Sequence, residues 1–396
     1  MEFKSALWDL AAEFRSVLRG LVRKPGYAVA AWVMLGLAIA ANAAVFAIVY
    51  GFLLKPLPYP QPQQLDVVRE RLPKIGLNTP MVSVKTYLAL KQDLHGIAGT
   101  GLSTNSSGDI ATWRGRPHLL TFQRVTPSLF TTLGVAPILG RVLAPDTGEP
   151  GGPSEAVISW RFWQTAFDGS QTVLNQSFEL EGKTYRIVGV MPRGFFLGTE
   201  ERNAWLPYVV TPERAQNDNI NYWMFVRRVP GVSPGQLNLT LLNYTQRMLA
   251  KKAPKARAKY MQDGYTIDAQ SPRAVALNDS GIGRLPWLMQ AAAALLLLLA
   301  LANTINLGLV RQRARQQQFA LRQVLGASRT GLVRLILLEH LPIAAAIGIS
   351  AMLLAWAGVR ALHAFGLPPE YSPFSIEMAP TVIVFTWVVT VIAVLV

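Results

Sequence analysis

The sequence contains no cysteine and only four histidines, at His95, His118, His340 and His363. Without cysteine there is no disulfide framework, thiolate metal site or cysteine nucleophile. His95 and His118 lack the spacing of metal ligands and are interpreted as surface or packing residues. No H-E-x-x-H or G-x-S-x-G motif occurs, and Gly182-Lys183-Thr184 is no phosphate-binding loop, because Ser177 stands where the earlier glycine is required. The sequence therefore predicts no catalytic residue, no bound cofactor and no metal site.

Charged residues are also scarce, at 15%, whereas 51% of the residues are hydrophobic, which is typical of a membrane protein. The formal net charge of +15 is not one patch. Residues 55–284 contribute 26 − 17 = +9, and residues 311–334 contribute +6 without a single acidic residue. A basic stretch beside an apolar run is more typical of a topology signal than of a nucleic-acid site. We expect membrane lipid and no nucleic acid among the partners.

Four long apolar runs predict four transmembrane helices, since about 20 apolar residues cross the bilayer core. They cover residues 25–54, 285–310, 335–359 and 378–396. The first run is too long for the apolar part of a signal peptide and is expected to be retained.

The short loops set the predicted orientation, because a long translocated segment is exempt from the positive-inside bias. The arginine-rich segment 311–334 is expected to be cytoplasmic, together with residues 1–24, whose apolar residues recur at helical spacing and predict an amphipathic interfacial helix. Segment 55–284 and loop 360–377 are then expected on the opposite face, outside the cytoplasm. The predicted protein is multi-pass, with a cytoplasmic N-terminus.

Segment 55–284 predicts an α+β domain of one or two subdomains, inserted between helices 1 and 2. It opens with a stiff proline-rich stretch, Lys55–Pro60. A strand is predicted over 156–159, and a hairpin joins strands 177–181 and 184–190 through Gly182-Lys183. Helices are predicted over 84–94, 160–166 and 233–253, and the second carries an aromatic stripe interpreted as core, Trp160, Phe162, Trp163 and Phe167.

Several motifs together carry a family resemblance. They are LVRKPG at 21–26, Asn42, Phe46, LLKPLPYP at 53–60, FTTLGVAPILGR at 130–141, ISWRFW at 158–163, GVMPRGF at 189–195 and ALRQVLGASR at 320–329. In this order they resemble MacB/FtsX-type ABC transporter permeases, particularly the branch of acidobacterial duplicated orphan permeases. Two features depart from that branch: the chain is a single unit without an internal repeat, and Gln318 stands where the family usually has an acidic residue.

The resemblance implies a permease of the bacterial inner membrane that is no enzyme itself. It implies a homodimer or heterodimer that works with a cytoplasmic ABC ATPase subunit, which binds the ATP. It implies a coupling helix in 311–334, for which Phe319, Leu321, Val324 and Leu325 provide a short amphipathic pattern. Contacts to the ATPase are expected at Arg322, Gly326 and Arg329, and membrane anchoring at Arg311, Arg313 and Arg315. The alternative is that these arginines only determine topology.

The resemblance leaves three functions open. The first is export of an antibiotic, peptide or lipid-linked compound, with a periplasmic membrane-fusion protein as a further partner. The second is an FtsX-like signalling scaffold that activates a cell-wall hydrolase, and the third is release of lipoproteins. The large outer segment with MacB-like motifs favours export over the hydrolase activator.

Overall fold

The computed structural model describes residues 25–113, 115–197, 202–279, 283–324, 329–364 and 376–395. The predicted interfacial helix over 1–24 lies outside these residues. The chain divides into two compact units: a helical unit of Met1–Leu54, Arg284–Glu370 and Ser375–Val396, and an α+β domain of Lys55–Gly283 with Tyr371–Phe374.

The helices of the described residues are numbered in chain order. They are α1 Pro25–Val49, α2 Val84–Asp93, α3 Ser128–Leu133, α4 Trp160–Phe167, α5 Pro212–Ala215, α6 Pro234–Ala250, α7 Pro254–Gln262, α8 Pro272–Asp279, α9 Leu285–Val324, α10 Arg329–Ala364 and α11 Pro380–Leu395. A π-helical turn, Tyr50–Leu54, follows α1.

The described part of the helical unit contains three helices that are long and apolar enough to cross a membrane, through Trp32–Leu54, Leu285–Leu309 and Leu341–Leu362. The fourth predicted span appears as α11, an apolar helix of 16 residues. At 1.5 Å per residue it is about 24 Å long, shorter than the hydrocarbon core of about 30 Å.

The arginine-rich segment differs from the prediction of a separate short helix. Residues 311–324 continue α9, which runs unbroken for 40 residues, and Arg329 begins α10. The physical reason is local: Arg, Gln, Ala and Leu dominate 311–324, all strong helix formers, and neither glycine nor proline interrupts them. The prediction of a separate coupling helix is corrected to a continuous extension of α9.

Small side chains allow the helices of the helical unit to pack closely. Leu35, Ile39, Ala40, Ala300, Ile347, Ala351 and Ala393 form its buried cluster. At Gly348 in α10 an added Cβ would lie 2.6 Å from the ring of Trp387 in α11, so only glycine permits this approach.

The strands of the α+β domain are also numbered in chain order. They are β1 Leu65–Arg71, β2 Ile97–Thr104, β3 Ser107–Trp113, β4 Arg116–Val125, β5 Leu139–Gly140, β6 Glu155–Ile158, β7 Ser177–Leu180, β8 Lys183–Val190, β9 Ala204–Pro207, β10 Tyr222–Arg228 and β11 Thr266–Gln270.

Two subdomains follow from the strand pairing. β11, β1, β10 and β2 form an antiparallel sheet, on which α2 and α6 pack through a core that includes Tyr87, Leu90, Leu237 and Leu241. β4, β3, β7, β8, β6 and β9 follow one another and close through the β4–β9 pairing into a small barrel filled by its own side chains. The sheet joins the barrel at the single pair Ser103–Val125 of β2 and β4.

One carboxylate is buried in the barrel wall. Glu155, 1% exposed, accepts hydrogen bonds from Arg141, from Arg186 and from the backbone N–H of Ala144. Burial by itself would raise the pKa of Glu155, but these donors hold the pKa below its ordinary value.

Several predicted elements are observed with small shifts. The hairpin of β7 and β8 turns at Glu181-Gly182 rather than Gly182-Lys183, because Leu180 pairs with Lys183 and both turn residues have the positive φ of a type I′ turn. The predicted helix 233–253 corresponds to α6, which ends at Ala250, and Pro254 starts α7 beyond the predicted range. Phe162, Trp163 and Phe167 of the aromatic stripe pack on the barrel core.

Candidate transmission site in the α+β domain

The α+β domain receives and returns the chain at one end of its sheet. The first linker, residues 55–64, leads into β1, and β11 leads through α8 to the start of α9. β1 and β11 are antiparallel neighbours, with Val67 opposite Gln270 and Arg71 opposite Thr266. The connections to helices α1 and α9 therefore join two adjacent strands at the same end of the sheet.

Arg227, near the end of β10, fastens the first linker to helix α3. Its guanidinium donates to the carbonyls of Thr132 (2.6 Å), Leu133 (2.8 Å), Pro60 (3.1 Å) and Gln61 (3.4 Å). Thr132 and Leu133 are the last residues of α3, where carbonyls lack intrahelical donors and a cation is favourable. Burial lowers the pKa of Arg227 from its ordinary value.

Arg228 holds the other side of the same linker. Its Nε donates to Asp66 Oδ2 at 2.6 Å, and its remaining nitrogens donate to the carbonyls of Gln63 and Val232. Arg228 and Asp66 are both buried, at 6% and 2% exposure. Burial raises the pKa of Asp66, and the neighbouring Arg228 opposes that rise. Because each guanidinium nitrogen of Arg228 has a partner, the buried pair fixes the linker against the end of β10.

Three further arginines tie the ends of the domain together. Arg273 in α8 donates to the carbonyl of Lys55, so the last helix holds the first residue. Arg69 in β1 faces Asp268 in β11 and forms a bidentate pair with it, at 2.7 and 2.8 Å, to which Arg71 adds a further bond. Bidentate pairs of this kind are the geometrically most specific ion pairs.

Tyr59 connects the first linker to the barrel. Its hydroxyl donates to the carbonyl of Phe196 at 2.6 Å, and burial raises the pKa of Tyr59. The ring of Phe195 lies edge-on to Tyr59 at 6.5 Å and to Trp205 of β9 at 5.0 Å, and Phe130 of α3 completes the cluster. The linker therefore contacts the sheet through arginines and the barrel through aromatic rings.

In the helical unit, two helices that flank the α+β domain in sequence share a polar contact. Asn42 of α1, 3% exposed, donates to the carbonyl of Ala293 in α9 at 2.6 Å and accepts from Gln290 at 2.8 Å. Interhelical amide bonds of this kind stabilise helix association in an apolar surrounding by about 0.6–2 kcal/mol each.

The predicted coupling and anchoring residues occupy the extensions of two helices. Helix α9 contains Arg311, Arg313, Arg315 and Arg322, and α10 begins at Arg329. Gly326 and the side chains of all these arginines lie outside the described part of the structure. Their roles stay predictions.

The sequence reasoning missed the residues of the first-linker junction. Tyr59 belongs to the LLKPLPYP motif, whereas none of the family motifs contains Arg227 or Arg228. A signal was present in the sequence, since Arg227 and Arg228 end strand β10 directly after its apolar part, 222–226. Adjacent cations at the end of a buried strand need nearby acceptors. Which acceptors they meet depends on partners distant in sequence.

Two family models match the chain. The model for the MacB-like periplasmic core domain matches residues 31–241, more than half of the chain, and the model for the FtsX-like permease C-terminal matches residues 291–396. Among curated proteins none matches the chain.

Three solved structures are each similar to a part of the chain. A domain of a permease protein from Porphyromonas gingivalis is 18% identical, with 54% of this chain and 92% of that chain covered and a TM-score of 0.42. The periplasmic region of MacB from Actinobacillus actinomycetemcomitans is 12% identical, with 59% and 95% covered and a TM-score of 0.40. The extracellular domain of the noncanonic ABC-type transporter YknZ from Gram-positive bacteria is 12% identical, with 52% and 99% covered and a TM-score of 0.35. On its two family matches, the chain belongs to the MacB/FtsX family of ABC transporter permeases.

Proposed function

We propose that this permease works with a separate cytoplasmic ABC ATPase and exports an antibiotic, peptide or lipid-linked compound from the periplasmic side. The observation that carries the proposal is the junction at one end of the α+β domain, where the first linker is held by Arg227, Arg228 and Tyr59. A linker held on both subdomains delivers a displacement of α1 to the whole domain. Such a junction suits a protein that receives mechanical work from a neighbour.

The proposed topology has four spans, with 1–24 and 311–334 in the cytoplasm and the α+β domain in the periplasm. The arginines of 311–334, without an acidic residue among them, support this orientation. Helix α11 serves as the fourth span, extended by the uncharged Met378 and Ala379. Epitope tags at Gln317 and Gly148 are expected on opposite faces of the membrane, and accessibility of both tags from one face would overturn the topology.

The continuous α9 supplies a path for the motion. Its 40 residues are about 60 Å long at 1.5 Å per residue, twice the hydrocarbon core. If the apolar part 285–309 spans the membrane, residues 311–324 extend about 20 Å further as a rigid rod. In this proposal Arg322, Gly326 and Arg329 contact the ATPase at the far end, and Arg311, Arg313 and Arg315 hold the membrane surface.

Charge reversal tests the coupling. The double variant Arg322→Glu/Arg329→Glu is expected to weaken binding of the ATPase subunit at least about tenfold, because two charge-assisted contacts become repulsive. The matched control, Arg116→Glu/Lys183→Glu, makes the same change in net charge on the barrel and is expected to bind normally. Unchanged affinity of the first variant removes the coupling proposal.

Export and signalling are distinguished by what ATP hydrolysis brings about in a reconstituted system. In proteoliposomes with the ATPase, an exporter shows ATPase stimulation by its compound and net movement of that compound. A signalling scaffold shows neither, but increases the activity of a cell-wall hydrolase, and a lipoprotein-releasing permease frees lipoprotein. The size of the α+β domain, 229 residues from Lys55 to Gly283, supports export, since a domain with two subdomains has room for a ligand site.

A further inference from the structure

Basic residues are concentrated in one short stretch of the α+β domain. Residues 247–262 carry six basic residues and no acidic residue, and they account for +6 of the +9 of segment 55–284. These residues are Arg247, Lys251, Lys252, Lys255, Arg257 and Lys259. The remaining residues of 55–284 are nearly balanced, with 20 basic against 17 acidic residues. The excess charge of the domain is therefore local.

This stretch lies at the end of the sheet opposite the two linkers. Helix α6 begins near the linker end, because the side chain of Asn238 bonds to both backbone groups of Ala269 in β11. The helix continues for 12 residues beyond Asn238, about 18 Å at 1.5 Å per residue. At the far end, the carbonyl of Asp263, just after α7, accepts from the N–H of Lys74 beyond β1. The basic stretch is therefore remote from the junction.

A groove of about 430 Å³ opens here between the C-terminal parts of α2 and α6. Its cationic wall is made by Arg247, Lys251 and Lys252, and Asp93 is the one acidic residue in its lining. Lys252 places its Nζ 4.6 Å from the ring centre of Tyr260 in α7. Within the described residues, none of the three cations forms an ion pair with a carboxylate.

The local charges leave a positive surplus. The C-termini of α2 and α6 each contribute about −0.5 charge through the helix dipole, and Asp93 contributes −1, which together offset two of the three cations. The cations of α7 add to the surplus. Neutralising two helix ends therefore does not account for all of the cations, and an anion is attracted to the groove.

The groove also has an apolar wall and a hydrogen-bond donor. Ala89 and Met248 line it and pack on the sheet core. Tyr244 lines it as well, with only 8% of its surface exposed, and its hydroxyl makes no hydrogen bond to another described residue. Burial, with the negative charge of Asp93, raises the pKa of Tyr244, so the hydroxyl stays protonated and can donate.

We propose that this groove binds an amphipathic anion, a phosphate or carboxylate attached to a short apolar chain. The anionic group lies between Arg247 and Lys251 with the Tyr244 hydroxyl as a further donor, and the apolar chain lies against Met248 and Ala89. This inference deepens the proposed function. It rests on that function only for the statement that the bound anion is an exported compound.

The test uses the full-length protein in a non-ionic detergent and measures binding of hexyl phosphate by calorimetry. Wild-type protein is expected to bind at millimolar or lower concentration, more weakly at high salt because the contacts are exposed. The variant Arg247→Gln/Lys251→Gln is expected to lose at least about tenfold in affinity, since two charge-assisted bonds disappear. The matched control Lys255→Gln/Lys259→Gln removes equal charge outside the groove lining and is expected to lose less than about threefold.

Three results would overturn the proposal: no binding of hexyl phosphate to the wild type, equal losses in both double variants, or inorganic phosphate binding as tightly as hexyl phosphate. Hexanol and hexyltrimethylammonium, which lack the negative charge, are expected not to bind, and binding of either at the strength of hexyl phosphate would also overturn it. Thermal unfolding midpoints check that each variant is folded. Because the assay contains no ATPase, its failure leaves the permease function untouched, whereas loss of ATPase coupling leaves the groove result standing.

Discussion

The strongest prediction concerns Arg227→Met, which removes the guanidinium that joins the first linker to helix α3. Methionine keeps the apolar stem but donates no hydrogen bond. The carbonyls of Thr132 and Leu133 then lose their donor, and Pro60 and Gln61 are released from β10. We expect the α+β domain to remain folded but less stable, and the linker to transmit less of any displacement.

The magnitude follows from the geometry. The bonds to Thr132 and Leu133, at 2.6 and 2.8 Å, are short and charge-assisted, and each contributes about 1.5–3 kcal/mol. The free energy of the longer bonds to Pro60 and Gln61 is taken to offset the cost of desolvating the half-buried guanidinium. The expected loss in the free energy of unfolding is about 2–4 kcal/mol. For a domain of this size each kcal/mol lowers the unfolding midpoint by about 2–4 °C.

The assay is thermal unfolding of the full-length protein in detergent, followed by tryptophan fluorescence at a fixed scan rate because unfolding is not expected to be reversible. A decrease of about 5–15 °C in the domain transition is expected. The control Arg116→Met replaces an exposed strand arginine whose side chain makes no hydrogen bond to another described residue, and its midpoint is expected to stay within about 2 °C.

The functional half of the prediction is measured below both midpoints. With the ATPase bound, Arg227→Met is expected to keep basal ATP hydrolysis and to lose most of the export, because in the proposed function the first linker carries the motion of α1 into the α+β domain. The reasoning is refuted by a variant that unfolds with the wild type and exports at the wild-type rate. An unstable variant with full export would refute the transmission role alone.

Three further predictions come from separate parts of the molecule. Gly189→Ala places a Cβ 2.1 Å from the carbonyl oxygen of Arg141 and is expected to destabilise the barrel by about 3 kcal/mol or more, measured by thermal unfolding. The control Gly108→Ala, whose added Cβ has no atom nearer than 4.0 Å, is expected to have little effect. The lowered pKa of Glu155 stabilises the domain at pH values above the ordinary glutamate pKa of about 4.3, and this stability is lost as the pH falls through the pKa of the folded state. The variant Glu155→Gln is therefore expected to have a lower unfolding midpoint than the wild type at neutral pH, and its midpoint is expected to fall less on acidification. Asn42→Leu removes two interhelical bonds and is expected to lower the midpoint of the helical unit in detergent, with unchanged melting of the α+β domain.

The sequence predicted those features that are set locally. Strand alternation and turn residues placed β7, β8 and their hairpin, and only the turn was displaced by one residue, because Glu181 accepts a positive φ that the pattern assigned to Gly182 and Lys183. Apolar run length found α1, α9 and α10. Helix propensity was underestimated at 311–324, where the composition continues α9 beyond the apolar residues.

Features that depend on distant partners could not be predicted. The barrel closes through a parallel pairing of β4 and β9 that begins with Phe122 opposite Ala204, and no local pattern specifies that contact. The same holds for the candidate site. Arg227 bonds to residues 94 to 167 positions away, so its role becomes visible only when the sheet has brought the linker and α3 to one place.

The arrangement of bonds also indicates which displacement of its two attachments the α+β domain resists. Two adjacent antiparallel strands that are attached at the same end separate pair by pair when their attachments are pulled apart, starting here at Val67 and Gln270. The bidentate Arg69–Asp268 pair lies two positions further in and resists this separation. A joint displacement of both attachments breaks none of these bonds and moves the domain as a body.

Each level of the chain favours the joint displacement. Helices α1 and α9 share the hydrogen bonds of Asn42, so within the helical unit they are held together. Arg273 holds Lys55, so the two ends of the α+β domain are held together, and Arg69 does the same for the strands. Motion of the two helices together breaks none of these bonds. Motion of one helix relative to the other strains the bonds of Asn42, Arg273 and Arg69. Under the proposed function, work delivered to α9 would therefore move the α+β domain as a body rather than separate its first and last strands.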